Sequence, residues 1–160
     1  AVGLDNEEKV RLEFERMLSR VRSFLPNAVV NGVTVEGMFS GREVIVGMVR
    51  DEQFGPVITF GLGGIFVEIM KDVSQAIAPL SERRVDDMIR SIKAYPILAG
   101  ARGRKRADIP AVKDVLFRVA QIATDFPQIT EFEINPVMVG DEGQGCGAVD
   151  ALVTIRRDKR

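Results

Sequence analysis

The spacing of apolar residues switches repeatedly along this 160-residue chain, and the order of the switches constrains the fold more than any single motif. Val10, Phe14, Met17, Leu18, Val21 and Leu25 recur at three- and four-residue intervals, which predicts one amphipathic helix. Asp5-Asn6-Glu7-Glu8 reads as its N-cap and Pro26-Asn27 as its end, and the stripe is expected to be core. Valine-rich runs follow at Ala28 to Phe39 and Glu43 to Val49, with Ser40-Gly41 as the turn between two strands. Val57 to Phe60 predicts another strand, which Gly61-Leu62-Gly63-Gly64 interrupts and Ile65 to Ile69 resumes. The helical period then returns twice. Ser81 caps a helix carrying Val85, Met88, Ile89 and Ile92, stopped by Pro96. A second helix begins near Asp108-Ile109-Pro110 and buries Val112, Val115, Leu116, Val119, Ile122 and Ala123. Ile129 to Val139 and Ala148 to Ile155 close the series as strands. Such clustering, rather than strict alternation, predicts an α+β fold: a mostly antiparallel sheet with helices packed on it, one domain over residues 1–160.

Composition excludes several functions. Lys+Arg of 22 against Asp+Glu of 23 gives no overall attraction to nucleic acid or to an anionic membrane, so neither partner is expected. The most apolar stretch, around Val57 to Met70, is broken by glycines and Glu68 and does not read as a membrane span. Cys146 is the single cysteine and cannot close an internal disulfide, which fits a cytoplasmic protein. There is no histidine, so these residues hold no Ser/His/Asp or Cys/His mechanism.

The chemistry concentrates late in the chain. In Glu131-Phe132-Glu133-Ile134-Asn135-Pro136, strand alternation points Glu133 and Asn135 to one face and Ile134 to the other. Asp150 follows Asn135 by fifteen residues in the next apolar run, and the glycine-rich connection Asp141 to Gly147 folds that run back beside the first. Two carboxylates and an amide oxygen then converge, a hard oxygen set suited to Mg²⁺. A hairpin carrying solvated acids satisfies the same pattern.

Gly61-Leu62-Gly63-Gly64 allows backbone to approach a ligand closely, yet it is neither a P-loop nor a dinucleotide fingerprint, and a strand bulge explains it equally. Glu36 and Glu43 bracket a turn containing Met38, an arrangement that can hold a planar heterocycle and its hydroxyls, or simply close a hairpin. Arg102-Gly103-Arg104-Lys105-Arg106 is a basic loop, either solvated or a grip on phosphates or an acidic partner.

Taken in order, Val35-Glu36-Gly37-Met38, Gly41 to Gly47, Arg50 to Pro56, Phe60 to Glu68, Ile92 to Gly103 and Glu133-Ile134-Asn135-Pro136 resemble the beta subunit, or ATP-grasp domain, of NDP-forming acyl-CoA synthetases, above all the ADP-forming acetyl-CoA synthetases. The likeness runs from about Asp5 to Ile155 and implies the C-terminal lobe of an ATP-grasp fold. It implies the reaction acyl-CoA + ADP + phosphate ⇌ acid + CoA + ATP, passing through an acyl phosphate and a phosphohistidine. By the resemblance, Asn135 and Asp150 match Mg²⁺ ligands and Glu133 the catalytic acid that holds the phosphohistidine. Glu36, Met38 and Glu43 match the holders of the ADP or ATP base and ribose, and Gly63 and Gly64 the glycines near the transferred phosphoryl group.

The histidine-bearing segment, the upstream ATP-grasp lobe and the CoA-binding (alpha) subunit or domain are then expected as partners outside these residues. The isolated chain is expected to be inactive and, with an apolar face left uncovered, to self-associate as a homo-oligomer. Gln75-Ala76 stand where the family carries an aromatic and an arginine. That departure keeps open a non-catalytic scaffold domain, like the ATP-grasp lobe of protein lysine acetyltransferases.

Overall fold

A computed structural model describes residues 1–63 and 71–156, excepting the Arg102 side chain. The strand expected at Ile65 to Ile69, with Gly64 and Glu68, lies outside these residues. The chain divides into two compact units, Ala1–Met38 and Phe39–Arg160.

The first unit carries α1 (Glu7–Phe24). Its N-cap is Asn6, whose side chain accepts from the Lys9 N–H; Asp5, the cap expected from sequence, instead pairs with the Lys9 ammonium at 2.8 Å. The apolar stripe is present, but none of its residues is buried and Phe24 is 81% exposed. Residues 28–40 form no strand. A strand needs a neighbour for its N–H and C=O groups, and the first unit offers only a helix. The apolar face of α1 and the segment at Val30 to Val33 line an open groove of about 400 Å³.

The second unit is built on an antiparallel sheet. Its strands are β1 (Arg42–Asp51), β2 (Gly55–Leu62), β3 (Val73–Ile77), β4 (Ile129–Val139), β5 (Cys146–Ala148) and β6 (Ala151–Ile155). The order is β3-β2-β1-β4-β5, and β6 also pairs with β4, so β5 and β6 are two halves of one interrupted strand. Between the strands run α2 (Glu82–Ser91), the short α3 (Tyr95–Leu98) and α4 (Ile109–Asp125). Pro96 does not stop α2, which ends at Ser91; it occupies the first turn of α3, where its missing N–H costs nothing. β3 was not apparent in the sequence, because Ser74 and Gln75 dilute its apolar signal.

One face of the sheet is covered. α4 packs on β1, β2 and β4, and α2 packs on β3 and β2. Val44, Val46, Met48, Ile58, Phe60 and Leu62 point into this layer and meet Val85, Met88, Leu116 and Val119. Each such side chain contributes roughly 1.5–3 kcal/mol of burial.

Polar groups fasten the helices. The Arg50 guanidinium reaches from β1 to the C-terminal end of α4, donating to the carbonyls of Ala123 (2.6 Å) and Ile129 (3.1 Å). It thereby satisfies the Ala123 carbonyl that the helix end leaves free and ties that end to the start of β4. At the other end of α4, buried Asp108 accepts from Ala111 N–H at 3.1 Å as N-cap and from Gly145 N–H at 2.8 Å. One carboxylate thus joins the helix to the turn before β5.

The bond from Gly145, then that from Ala111, holds the Asp108 carboxyl below its ordinary pKa. A lowered folded value means that this stabilisation is fully present above about pH 4 and is lost as pH falls through the folded pKa. Asp108→Ala is expected to lower unfolding free energy by about 2 kcal/mol at neutral pH, because a cap is lost and Gly145 N–H is stranded. In urea titrations the gap between wild type and variant should narrow as the pH drops into the acid range.

Candidate functional site

The face of the sheet opposite the helices carries the acids. Its geometry turns on a bulge in β4. Val44 pairs with Val137 and Val46 with Ile134, so Ile45 alone on β1 faces both Asn135 and Pro136. Proline tolerates this position because a bulge leaves one residue out of the ladder. The extra residue also shifts the inward parity from Ile134 to Val137 and Val139, keeping apolar side chains under α4 along the whole strand.

Glu133 and Asn135 therefore share the open face, and the contact is direct: Asn135 Nδ2 donates to Glu133 Oε1 at 3.4 Å. That bond turns the amide so that Oδ1 remains available as an acceptor. Across the sheet, Glu133 lies opposite Gly47 on β1, which has no side chain to shield it.

Asp150 sits in the break between β5 and β6. Its carbonyl accepts from Asn135 N–H at 3.1 Å, and Val149 N–H donates to the Pro136 carbonyl at 3.1 Å. Thr154 Oγ1 donates to Glu131 Oε2 at 3.3 Å, which places the even residues of β6 on the open face. Asp150 itself precedes β6; continued one residue beyond the strand, that alternation would set it on the face of Glu133 and Asn135. Asp150 Oδ1 accepts from Ala151 N–H at 2.9 Å, leaving its second oxygen without a protein donor among the described residues.

The donors are two carboxylates and an amide oxygen. Among the described residues no three Asp, Glu or Cys side chains form a cluster that would cage a metal. A sparse, hard set of this kind fits Mg²⁺, which keeps several positions for water and phosphate oxygens.

At the end of the sheet, Gly63 N–H donates to the Glu43 carbonyl at 2.8 Å. A Cβ on Gly63 would stand 3.1 Å from the carbonyl carbons of both Glu43 and Val44, so a side chain here would push the β1 backbone by a few tenths of an ångström. Glu43, Ile45 and Gly47 alternate along one face of β1, and Glu43 lies about 13 Å from Gly47 along the strand.

Glu36 and Met38 belong to the first unit, where both line a cavity of about 150 Å³ with Val10 and Phe14. Gly64 lies outside the described residues. The basic loop is anchored away from the acids: Arg42 donates to the Lys105 carbonyl and pairs with Asp141 at 2.9 Å. Sequence reasoning did not single out Thr59. It joins the row Glu133, Gly47, Thr59, Gln75 across neighbouring strands, and Gln75 Nε2 donates to its hydroxyl at 3.2 Å. The alternation Ile58-Thr59-Phe60 carried the signal.

Comparison with known proteins bears on this arrangement. The family profile described as the ATP-grasp domain matches residues 1–155. The chain belongs to the ATP-grasp domain family. It is 47% identical over 155 residues to the beta subunit of acetate–CoA ligase (ADP-forming) I of Pyrococcus furiosus, covering 96% of this chain and 66% of that subunit. It is 38% identical to 4-hydroxybutyrate–CoA ligase (ADP-forming) of Nitrosopumilus maritimus, covering 96% of this chain and 22% of that protein.

Among solved structures it resembles acetyl-coenzyme A synthetase 1 of Ca. Korarchaeum cryptofilum in complex with coenzyme A and Mg-AMPPCP. There the TM-score is 0.82 and identity 39%, over 98% of this chain and 67% of the other. The ATP-grasp chain thus spans about two thirds of its subunit relatives and about a fifth of the longer ones. The expected fold and family are both met.

The close approach at Gly63 has a direct test. Gly63→Ala is expected to cost about 1–2 kcal/mol, since the obstructing atoms are β1 backbone. Gly47→Ala should be nearly neutral, because its Cβ would meet Phe132 O at an ordinary 3.5 Å. Urea unfolding of the two variants side by side measures the difference.

Proposed function

We propose that this chain is the nucleotide- and Mg²⁺-binding lobe of an ADP-forming acyl-CoA ligase, an acid–thiol ligase catalysing acyl-CoA + ADP + phosphate ⇌ acid + CoA + ATP. The observation that carries the reading is the pairing of Glu133 and Asn135 on the open face at the β4 bulge, with the Asp150 main chain bonded to Asn135. Phosphoryl transfer asks a protein mainly for positioning and for neutralisation of phosphate charge. Asn135 Oδ1 and Asp150 would hold the cation, which supplies charge neutralisation at the phosphates. Glu133 fixes the amide and stands ready to accept a hydrogen bond from an imidazole. Glu43, four residues along β1 from Gly47, and Gly63, bonded to it, would meet the nucleotide toward its ribose; Glu36 and Met38 of the first unit, and Gly64, are proposed as nucleotide contacts on the strength of the resemblance.

These 160 residues contain no histidine, and the related synthetase structure includes a phosphohistidine segment. A histidine for this lobe would therefore come from outside these residues, as would an upstream ATP-grasp lobe and a CoA-binding subunit or domain. The relatives are a beta subunit and a longer chain, and both extend beyond the matched residues. Both of these relatives are ligases, which favours the catalytic reading over the scaffold one. Among the described residues no helix is long and apolar enough to cross a membrane, in keeping with a cytoplasmic role.

Calorimetric titration of Mg·ADP into the chain tests the assignment. Wild type should bind, omission of Mg²⁺ should weaken binding, and Asp150→Ala and Asn135→Ala should each weaken it by about tenfold or more, the loss of one charge-assisted contact. Equal affinity in all three proteins, indifferent to Mg²⁺, would remove the metal assignment.

A further inference from the structure

The two outer edges of the sheet differ. β3 is blunted: Arg84 donates to the outward carbonyl of Gln75 at 3.1 Å, and Pro79 follows the strand. Covering an edge in this way prevents strand addition. β6 has no such guard. Among the described residues its only strand neighbour is β4. All its residues are exposed, with Leu152 at 56%, Val153 at 45% and Ile155 at 59%. Ala151-Leu152-Val153-Thr154-Ile155 contains no charge and no proline.

The direction of its backbone is fixed by hydrogen bonds. Asp150 C=O accepts from Asn135 and Arg156 N–H donates to Gln128, so the even residues of β6 turn toward β4. The N–H and C=O groups of Ala151, Val153 and Ile155 therefore point outward.

We propose that β6 pairs antiparallel with β6 of a second copy of this chain, about a two-fold axis at Val153. The strand is self-complementary in that register. Val153 exchanges hydrogen bonds with Val153 of the second copy, and Ala151 with Ile155 on either side. Leu152 then lies across from Thr154. Asp150 lies across from Arg156, opposite charges at both ends of the pairing, and a shift by two residues loses this match. On the open face, Arg156 of the second copy stands beside Asp150, so each copy adds a cation to the rim of the other's acid cluster. The inference does not rest on the nucleotide reading.

Such an interface is small, below the roughly 1,000 Å² of a stable complex, so the dimer should be weak and concentration-dependent. Sedimentation equilibrium from low-micromolar to near-millimolar protein is expected to show one chain passing to two. Val153→Lys and Val153→Glu each place like charges face to face on the axis and should weaken association by about tenfold or more. An equimolar mixture of the two variants should restore it. Both substitutions alter an exposed side chain and leave the β4 ladder untouched, and far-UV circular dichroism verifies the fold. Phe24→Ser, in the apolar groove of the first unit, should leave the dimer unchanged. A wild type that stays monomeric throughout overturns the proposal. So does association that persists in the lysine and glutamate variants singly, or that Phe24→Ser abolishes.

Discussion

The second unit depends on one extra residue in β4. β4 pairs with β1 on one side and with β5 and β6 on the other, so a change of register there reaches most of the sheet. The bulge at Asn135–Pro136 resolves a conflict between two demands. The helix layer needs Ile134, Val137 and Val139 inward, which strict alternation cannot deliver in a single strand. The chemistry needs Glu133 and Asn135 outward together. Inserting one residue at proline meets both demands, and it also breaks the facing strand at Val149–Asp150, where pairing passes from β5 to β6. The aspartate is freed from regular pairing by the same irregularity that aims the asparagine.

The acids were legible in the sequence because alternation is a local property. Glu133 and Asn135 share a face whatever the sheet around them does. The α2 and α4 spans were legible for the same reason, with Ser81 and Asp108 acting as caps where the sequence places them. The misreadings lie where a long-range partner decides the structure. The valines between Ala28 and Phe39 have strand composition, yet a strand exists only when another chain segment answers its hydrogen bonds, and the first unit contains none. The α1 stripe has helical spacing, but spacing shows where apolar residues point and not whether anything covers them. β3 failed in the opposite sense. Its composition is weak, and its place in the sheet comes from pairing with β2.

The open face explains why the ligand for such a site must bring its own countercharge. Glu131 and Glu133 lie on the open side of the sheet beside Asn135, while Arg42, Arg50 and Lys113 are spent on structural partners. Adjacent carboxylates repel one another unless a cation or a proton intervenes. A divalent cation shared with phosphate oxygens removes the repulsion without a dedicated cage. The relatives' nucleotide complexes agree with this electrostatic requirement.

The contrast between the two sheet edges extends the same logic. Arg84 blocks β3 although β3 is as short as β6 and less apolar. An unguarded edge is an aggregation liability, so an edge that stays bare among the described residues, as β6 does, calls for a compensating use. Its charges supply one. With Asp150 before the strand and Arg156 after it, antiparallel self-pairing is attractive at both ends, whereas parallel stacking would set like charges side by side. The sequence around β6 thus discriminates between a closed two-fold pairing and open-ended growth. It does so with Asp150, the residue proposed above as a cation ligand, so pairing and cation binding would act on the same side chain.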